Sequence, residues 1–318
     1  WSFKILNTSK HSLKIVVGLL VYNGADYIEE TIESILSQTL TDFQLVIGDN
    51  RSTDLTEQIC RQYARQDERI LYVLHPENLG ASGNHNALFE HADAPYFKWA
   101  SHDDLIHPEY LEKCIKLLDT SPSIGVAHSR SYVINEESIR IDNLDGEVRL
   151  SHAHPSERFW RLLWGGYLPE VHGVMRTDLV KKTKLFRGFP GDDRSFLVDM
   201  LLQADVGYVE DYLFSRRDHM SAFCSLTGWQ ERQSFFNPKA KRSPHLNGLV
   251  KLREYLGDIY RYPMSWSEKL ACIQMLALWG YHRGIESATG SGEIFGQRLR
   301  EEFSLAATSS SSTSSTLN

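Results

Sequence analysis

"KIVVGLLVYNGADYIEETIESILSQTLTDFQLVIGDN", residues 14–50, decides the fold. The run from Lys14 to Tyr22 is apolar without alternation, as in a strand buried on both faces of a sheet. Tyr27, Ile28, Ile32, Ile35 and Leu36 then recur at helical spacing. "FQLVIGDN", Phe43 to Asn50, reads as a second strand of the same kind. A strand, a helix and a strand within so short a stretch make a parallel crossover unit, which is right-handed in nearly all sheets.

The unit repeats. Asp54 and Glu57 form a capping-box pattern opening a helix to about Gln66. "ILYVLH" at Ile70 predicts a third strand, "ASGNHNALFEHA" a helix, and "PYFKWA" from Pro95 a fourth strand. A helix from Pro108 to about Leu118 follows. The order predicts an α/β fold with a doubly wound, mostly parallel sheet. Ligands in such sheets sit at the carboxyl ends of the strands. Three predicted strands end in polar clusters there: Tyr22-Asn23, Asp49-Asn50, and Ser101 through Asp104.

The pattern loosens after Gly125. "IGVAHSRSYVI" predicts a strand and "DNLDGEV" a turn; "GDDRSFLVDMLLQ" predicts a helix to about Gln203, then a short strand or two. "ERFWRLLWGGYLP" reads as an amphipathic core helix, with an aromatic ligand-stacking wall the alternative. Beyond Ser221 the chain reads as helical: Leu249, Leu252, Leu256 and Ile259 share one face, and Leu270, Ile273, Leu276 and Leu278 lie in a second helix. The boundaries expected are an α/β domain over 1–220, a C-terminal helical appendage over 221–304, and a disordered Ser/Thr-rich tail over 305–318.

Composition sets limits. The 318 residues carry a net charge of −7, which argues against a nucleic-acid binder. Cys60, Cys114, Cys224 and Cys272 are widely spaced, which excludes a zinc ribbon or dense disulfide framework and makes a reducing cytoplasm the simplest location. No apolar run is long enough to cross a bilayer. The chain begins at Trp1, so a missing targeting segment carries no weight. "GLLVYNGADY" is too poor in glycine for a dinucleotide-binding or nucleotidyltransferase loop.

Asp103 and Asp104, adjacent at a strand end, suit a hard divalent cation; alone, such a pair is more often a loop ahead of a helix. The context narrows the choice. "VVGLLVYNGADYIEETIESILSQTLTDFQLVIGDNRSTDLT" resembles the opening of the family 2 glycosyltransferases. Asn78-Leu79-Gly80, Asn86 and Ser101-His102-Asp103-Asp104 follow in that family's order. The resemblance covers residues 14–118 and continues more weakly to about His219.

The resemblance implies a GT-A fold and inverting transfer of a sugar from a nucleotide-diphosphate donor to an acceptor hydroxyl. It implies that Asp103 and Asp104 hold Mn2+ or Mg2+, with Ser101 standing where many members carry an acid. Leu20, Tyr22 and Asp49 would form the nucleotide end, with Asn86, Ser101, His102, Arg217 and His219 completing the donor site. Asp193 would be the catalytic base, with Asp192 the alternative. A UDP-sugar is the preferred donor; a glycan, a lipid-linked molecule or a small molecule would accept. The C-terminal helices would pack on the catalytic domain, pair two subunits, or lie against a membrane. A catalytically silent GT-A-like module that binds a nucleotide-sugar or a protein partner is the competing expectation, kept open by Ser101.

Overall fold

The computed structural model describes residues 13–144, 148–219, 226, 228–240 and 244–289; Cys224 and the Ser/Thr-rich tail lie outside them. The first half alternates as the apolar pattern predicts: β1 (Ile15–Val21), α1 (Ile28–Leu36), β2 (Phe43–Asp49), α2 (Thr56–Gln66), β3 (Ile70–Leu74), α3 (Gly80–Phe89) and β4 (Tyr96–Ser101). β1 pairs in parallel with β2 on one side and β4 on the other, and β3 extends the sheet beyond β2.

The second half is mixed. It comprises β5 (Leu105–Ile106), α4 (Tyr110–Thr120), β6 (Ile124–Ile134), β7 (Arg140–Asn143), α5 (Pro155–Trp164), a 3-10 turn at Pro169–His172, β8 (Val174–Arg176), α6 (Thr177–Val180), α7 (Asp192–Leu201), β9 (Asp205–Arg217), α8 (Trp229–Phe236), α9 (Pro244–Arg261) and α10 (Trp266–Thr289). The strand order is β3-β2-β1-β4-β8-β6-β9-β5, with β7 hydrogen-bonded to β6. β8 runs antiparallel to both neighbours, β4 and β6, whereas β6 and β9 are parallel. The short strands expected after α7 are one long strand, β9.

Both faces of the sheet are covered, which is why its central strands are uniformly apolar. Ile15, Val17 and Leu19 of β1 face a core with α1 and α4, through Ile28, Ile32, Leu111 and Cys114. Val16, Phe97 and Trp99 face the other core, built with α3, α5 and α7. That second core also contains Tyr255, Ile259 and Tyr262 from α9 and its end, and Cys272 and Leu276 from α10. Among the described residues no helix is long and apolar enough to cross a membrane.

Candidate active site

The loops after β1 and β2 are joined by hydrogen bonds into one shelf. Asn23 N donates to Ser52 Oγ (2.9 Å), Thr53 N to Asn23 Oδ1 (2.8 Å), Gly24 N to Thr56 Oγ1 (2.9 Å) and Ala25 N to Asp54 Oδ2 (3.1 Å). The capping expectation at Asp54 thus takes a different form: its carboxylate accepts from Thr56 N and from the neighbouring loop. Tyr22 stands above the shelf, 44% exposed. Leu20 is half-buried and paired with Ser101 and Gly48 across the strands.

Asp49 lies inside the shelf, not on it. It is fully buried, Oδ1 accepting from Ser52 N (2.8 Å) and Oδ2 from the Tyr72 hydroxyl (2.7 Å). Asn86 also turns away from the open edge. Its amide pairs both ways with the backbone of Phe186, at 2.9 and 3.0 Å, and so holds the segment leading to α7. Asp49 is thus held from within the fold, whereas Asn86 stays half-buried.

At the tip of β4, Ser101 and His102 are half-buried. A Cβ at Gly24 would collide with the His102 ring, so only glycine lets the two loops meet there. Asp103 Oδ2 receives His219 Nε2 at 2.9 Å. Burial opposes charge on Asp103, but His102 and His219 outweigh it and hold the carboxyl below the ordinary range. Asp104 is buried, accepts Arg217 N at 3.0 Å, and is driven up by burial and by the charge on Asp103. The two acids are therefore unequal: Asp103 is the ionised, accessible one.

Arg217 corrects an expectation. Its side chain is fully buried and donates to Asp103 O, Asn135 O, Glu136 O, Ser138 Oγ and Glu30 Oε2 while lying 4.6 Å from the Tyr27 ring. It fastens the acid-bearing turn to α1 and to the β6–β7 hairpin and has no donor to offer a phosphate. The adjacent Arg216 points to the opposite face, as strand residues must. It stacks 4.9 Å from the Tyr167 ring, its Nε is buried without a partner among the described residues, and its charge is felt by Asp104 and Tyr167. Strand alternation along β9 separates Arg216 from Arg217, which the sequence alone leaves as one basic pair.

Beneath the tip, Lys98 is wholly buried between the Tyr110 and Phe214 rings and donates to the carbonyls of Trp99 and His172. Burial lowers its pKa to about 8.

The second acid pair heads α7. Gly191, at φ +85°, makes the turn; a Cβ there would lie 2.5 Å from Lys251 Nζ of α9 and 4.0 Å from Asp193 Oδ1. Asp192 is fully buried, with Oδ2 accepting from Ser82 Oγ (2.7 Å), Arg187 N (2.9 Å) and Gly188 N (2.8 Å). Burial pushes its pKa up to about 6. Asp192 is thus consumed in binding the turn to α3, while Asp193 is half-buried beside it. Ser82 lies in the first turn of α3, just past the carboxyl end of β3, so α7 starts at the same sheet edge that carries Asp103. His172 ends the 3-10 turn before β8, its carbonyl accepting from Lys98 Nζ. Burial first, then Lys98 and His85, lower its pKa to about 3, against the charge of Asp103.

Arg187 at the foot of this turn contacts Asp199 of α7 and Asp258 of α9, and Lys184 reaches Asp258 (2.7 Å) and Glu254 (3.0 Å). The segment that presents Asp193 is thereby clamped between α7 and α9.

The model of the glycosyl transferase family 2 matches residues 16–182, more than half the chain. The chain belongs to this family. Among curated relatives, the family 2 chain is 31% identical over 120 residues to glycosyltransferase GlyA of Streptococcus pneumoniae, covering 37% of this chain and 17% of that protein. It is 32% identical over 124 residues to the uncharacterized glycosyltransferase MJ1057 of Methanocaldococcus jannaschii, covering 38% of this chain and 43% of that one. It therefore spans less than half the length of these two relatives. Solved structures share its fold. TarS of S. aureus, in complex with UDP-GlcNAc, superposes with a TM-score of 0.66 at 19% identity, over 90% of this chain and 78% of that one. The mannosyltransferase PcManGT of Pyrobaculum calidifontis, with GDP-Man and Mn2+, gives a TM-score of 0.52 at 14% identity, over 96% and 76%. The GT-A-type fold implied by the family resemblance over residues 14–118 is the fold observed.

Proposed function

We propose that the chain moves a sugar from a nucleoside-diphosphate donor to an acceptor hydroxyl with inversion. One observation carries this reading. A half-buried acid at the tip of β4, the Arg216 side chain of β9, whose charge acts on the neighbouring Asp104, and a half-buried acid at the start of α7 all lie toward the carboxyl edge of the parallel strands. Tyr22 is positioned to pack on a base, and Arg216 supplies positive charge for a diphosphate. Asp193 is the candidate base, since a sugar hydroxyl attacks poorly until its proton is taken. The ligands named for TarS and PcManGT support a nucleotide-sugar donor, with a UDP-sugar preferred.

Among the described residues no three His, Cys, Asp or Glu side chains converge on one metal position. The donor set still fits a hard cation that takes one protein carboxylate and completes its shell with substrate phosphates. Asp103 would be that carboxylate, with Ser101 beside it, and Asp104 withdrawn to the backbone of Arg217. A divalent cation held there would neutralise charge on the departing diphosphate.

The test is hydrolysis of UDP-GlcNAc with Mn2+, alongside a thermal-shift panel of nucleotide-sugars. Asp193→Asn is expected to lower hydrolysis by about a hundredfold or more. It should leave the donor-induced melting shift in place. Donor binding with no turnover, unchanged by Asp193→Asn, would instead support a silent binding module, the reading favoured by the uncharged Ser101 and by the His219 clasp on Asp103. No shift with any nucleotide-sugar would end both readings.

A further inference from the structure

The outward faces of α9 and α10 do not look like those of surface helices. A surface helix buries one apolar stripe and shows water a polar one. Helix α10 buries Cys272 and Leu276, yet its opposite face presents Trp266 (73% exposed), Leu270 (57%), Ala277, Leu278 and Tyr281 (66%), interrupted by Gln274. The outward stripe of α9 carries Leu249, Arg253, Gly257, Tyr260 and Arg261. The stripes meet at Lys269, whose Nζ donates to Tyr260 O (3.1 Å) and lies 6.0 and 5.8 Å from the Tyr260 and Trp266 rings.

Among the described side chains of α9 and α10, the outward charges have one sign. Three acids with described side chains lie on these helices, and all turn inward: Glu254 and Asp258 to Lys184 and Arg187, Glu268 to His154 and Ser156 N. Arg253 and Arg261 are exposed and Lys269 is half-buried between the two helices, in a chain whose net charge is −7. Aliphatic side chains with tryptophan, tyrosine and cations are the composition of a helix lying in a membrane–water interface. A twofold pairing of this surface with a second copy would set the same cations against themselves.

We propose that the α9–α10 face is a docking surface for an anionic lipid bilayer, with Trp266, Leu270, Leu278 and Tyr281 entering the headgroup boundary and Arg253, Arg261 and Lys269 attracted to its charge. The proposal is independent of the donor chemistry.

The full chain should float with phosphatidylcholine vesicles containing phosphatidylglycerol, and not with phosphatidylcholine alone. Arg253→Gln/Arg261→Gln/Lys269→Gln should lower the partition coefficient by about a hundredfold, since each such cation adds several-fold near an anionic surface. Raised salt should weaken the wild-type chain similarly, which needs no variant to fold. Trp266→Ser/Leu270→Ser should abolish flotation with an unchanged melting temperature, both residues being exposed. Failure of the wild type to float, or flotation indifferent to Trp266→Ser/Leu270→Ser, overturns the proposal. So does a concentration-dependent dimer in sedimentation velocity that this double variant dissolves while no vesicle binds, which would assign the face to a second copy.

Discussion

Arg216 and Arg217 are the same residue type at consecutive positions, and the backbone alone gives them different work. As a loop dipeptide, both would be free to reach a phosphate. As part of β9 they alternate: Arg217 is buried under the acid-bearing turn, and Arg216 lies on the opposite face against Tyr167, its charge acting on Asp104. Sequence could not decide between these cases, because β9 is long, irregular in register against β6, and not alternating in polarity. The expected consequences differ in kind. Arg217→Ala should cost about 3–5 kcal/mol of stability, since it leaves Glu30 and several buried carbonyls without their donor. Arg216→Ala should leave the melting temperature nearly unchanged and lower donor turnover by about a hundredfold, the usual cost of removing one preorganised charge. Urea melts and hydrolysis rates on the two variants separate the roles; equal effects on stability would refute the facing assigned to them.

At the scale of elements, legibility followed burial. β1, β2 and β4 were readable because strands covered on both faces are continuous apolar runs with little else they could be; β3, at the sheet edge with only Ile70 buried, was readable from its β-branched and aromatic run. β5 is two residues long and β8 three, too short for any period to show. The α7 turn was half legible: two adjacent acids after glycine marked a helix start, but not which acid the turn itself consumes. Three donors to Asp192 Oδ2 settle that, and they make a pH prediction. An acid whose folded pKa is raised holds its proton more tightly in the native state. Its contribution to stability is full below the unfolded pKa and is lost as pH rises through the folded one. With Asp192 at about 6, raised by burial, the wild-type chain should lose on the order of 2 kcal/mol from this group between pH 4 and 7. Asp192→Asn keeps an oxygen for the three donors and removes the titration. Its stability relative to wild type should therefore rise over that pH range in urea melts; a difference that stays flat would mean that burial does not set this pKa.

Across the whole molecule, the C-terminal helices occupy a position that spacing alone suggests but cannot fix. The face shared by Leu252, Leu256 and Ile259 predicts a helix with something to cover; only the structure shows that it covers α5 and α7. The expected division at residue 220 would treat those helices as an appendage. Yet Tyr255, Ile259, Tyr262, Cys272 and Leu276 lie in the same core as Phe97 and Trp99 of β4. Burying such side chains contributes about 1.5–3 kcal/mol each. Five of them approach the total stability of a typical domain, about 5–15 kcal/mol. Removing α9 would also take Asp258 and Glu254 from Lys184 and Arg187, leaving the Asp193-bearing turn fastened at α3 and α7 alone. A chain ending at Ala240 is therefore expected to lose its cooperative thermal transition and to bind a hydrophobic dye, its α5–α7 surface being uncovered. A cooperative melt within a few degrees of the full chain would show that the catalytic unit closes without these helices.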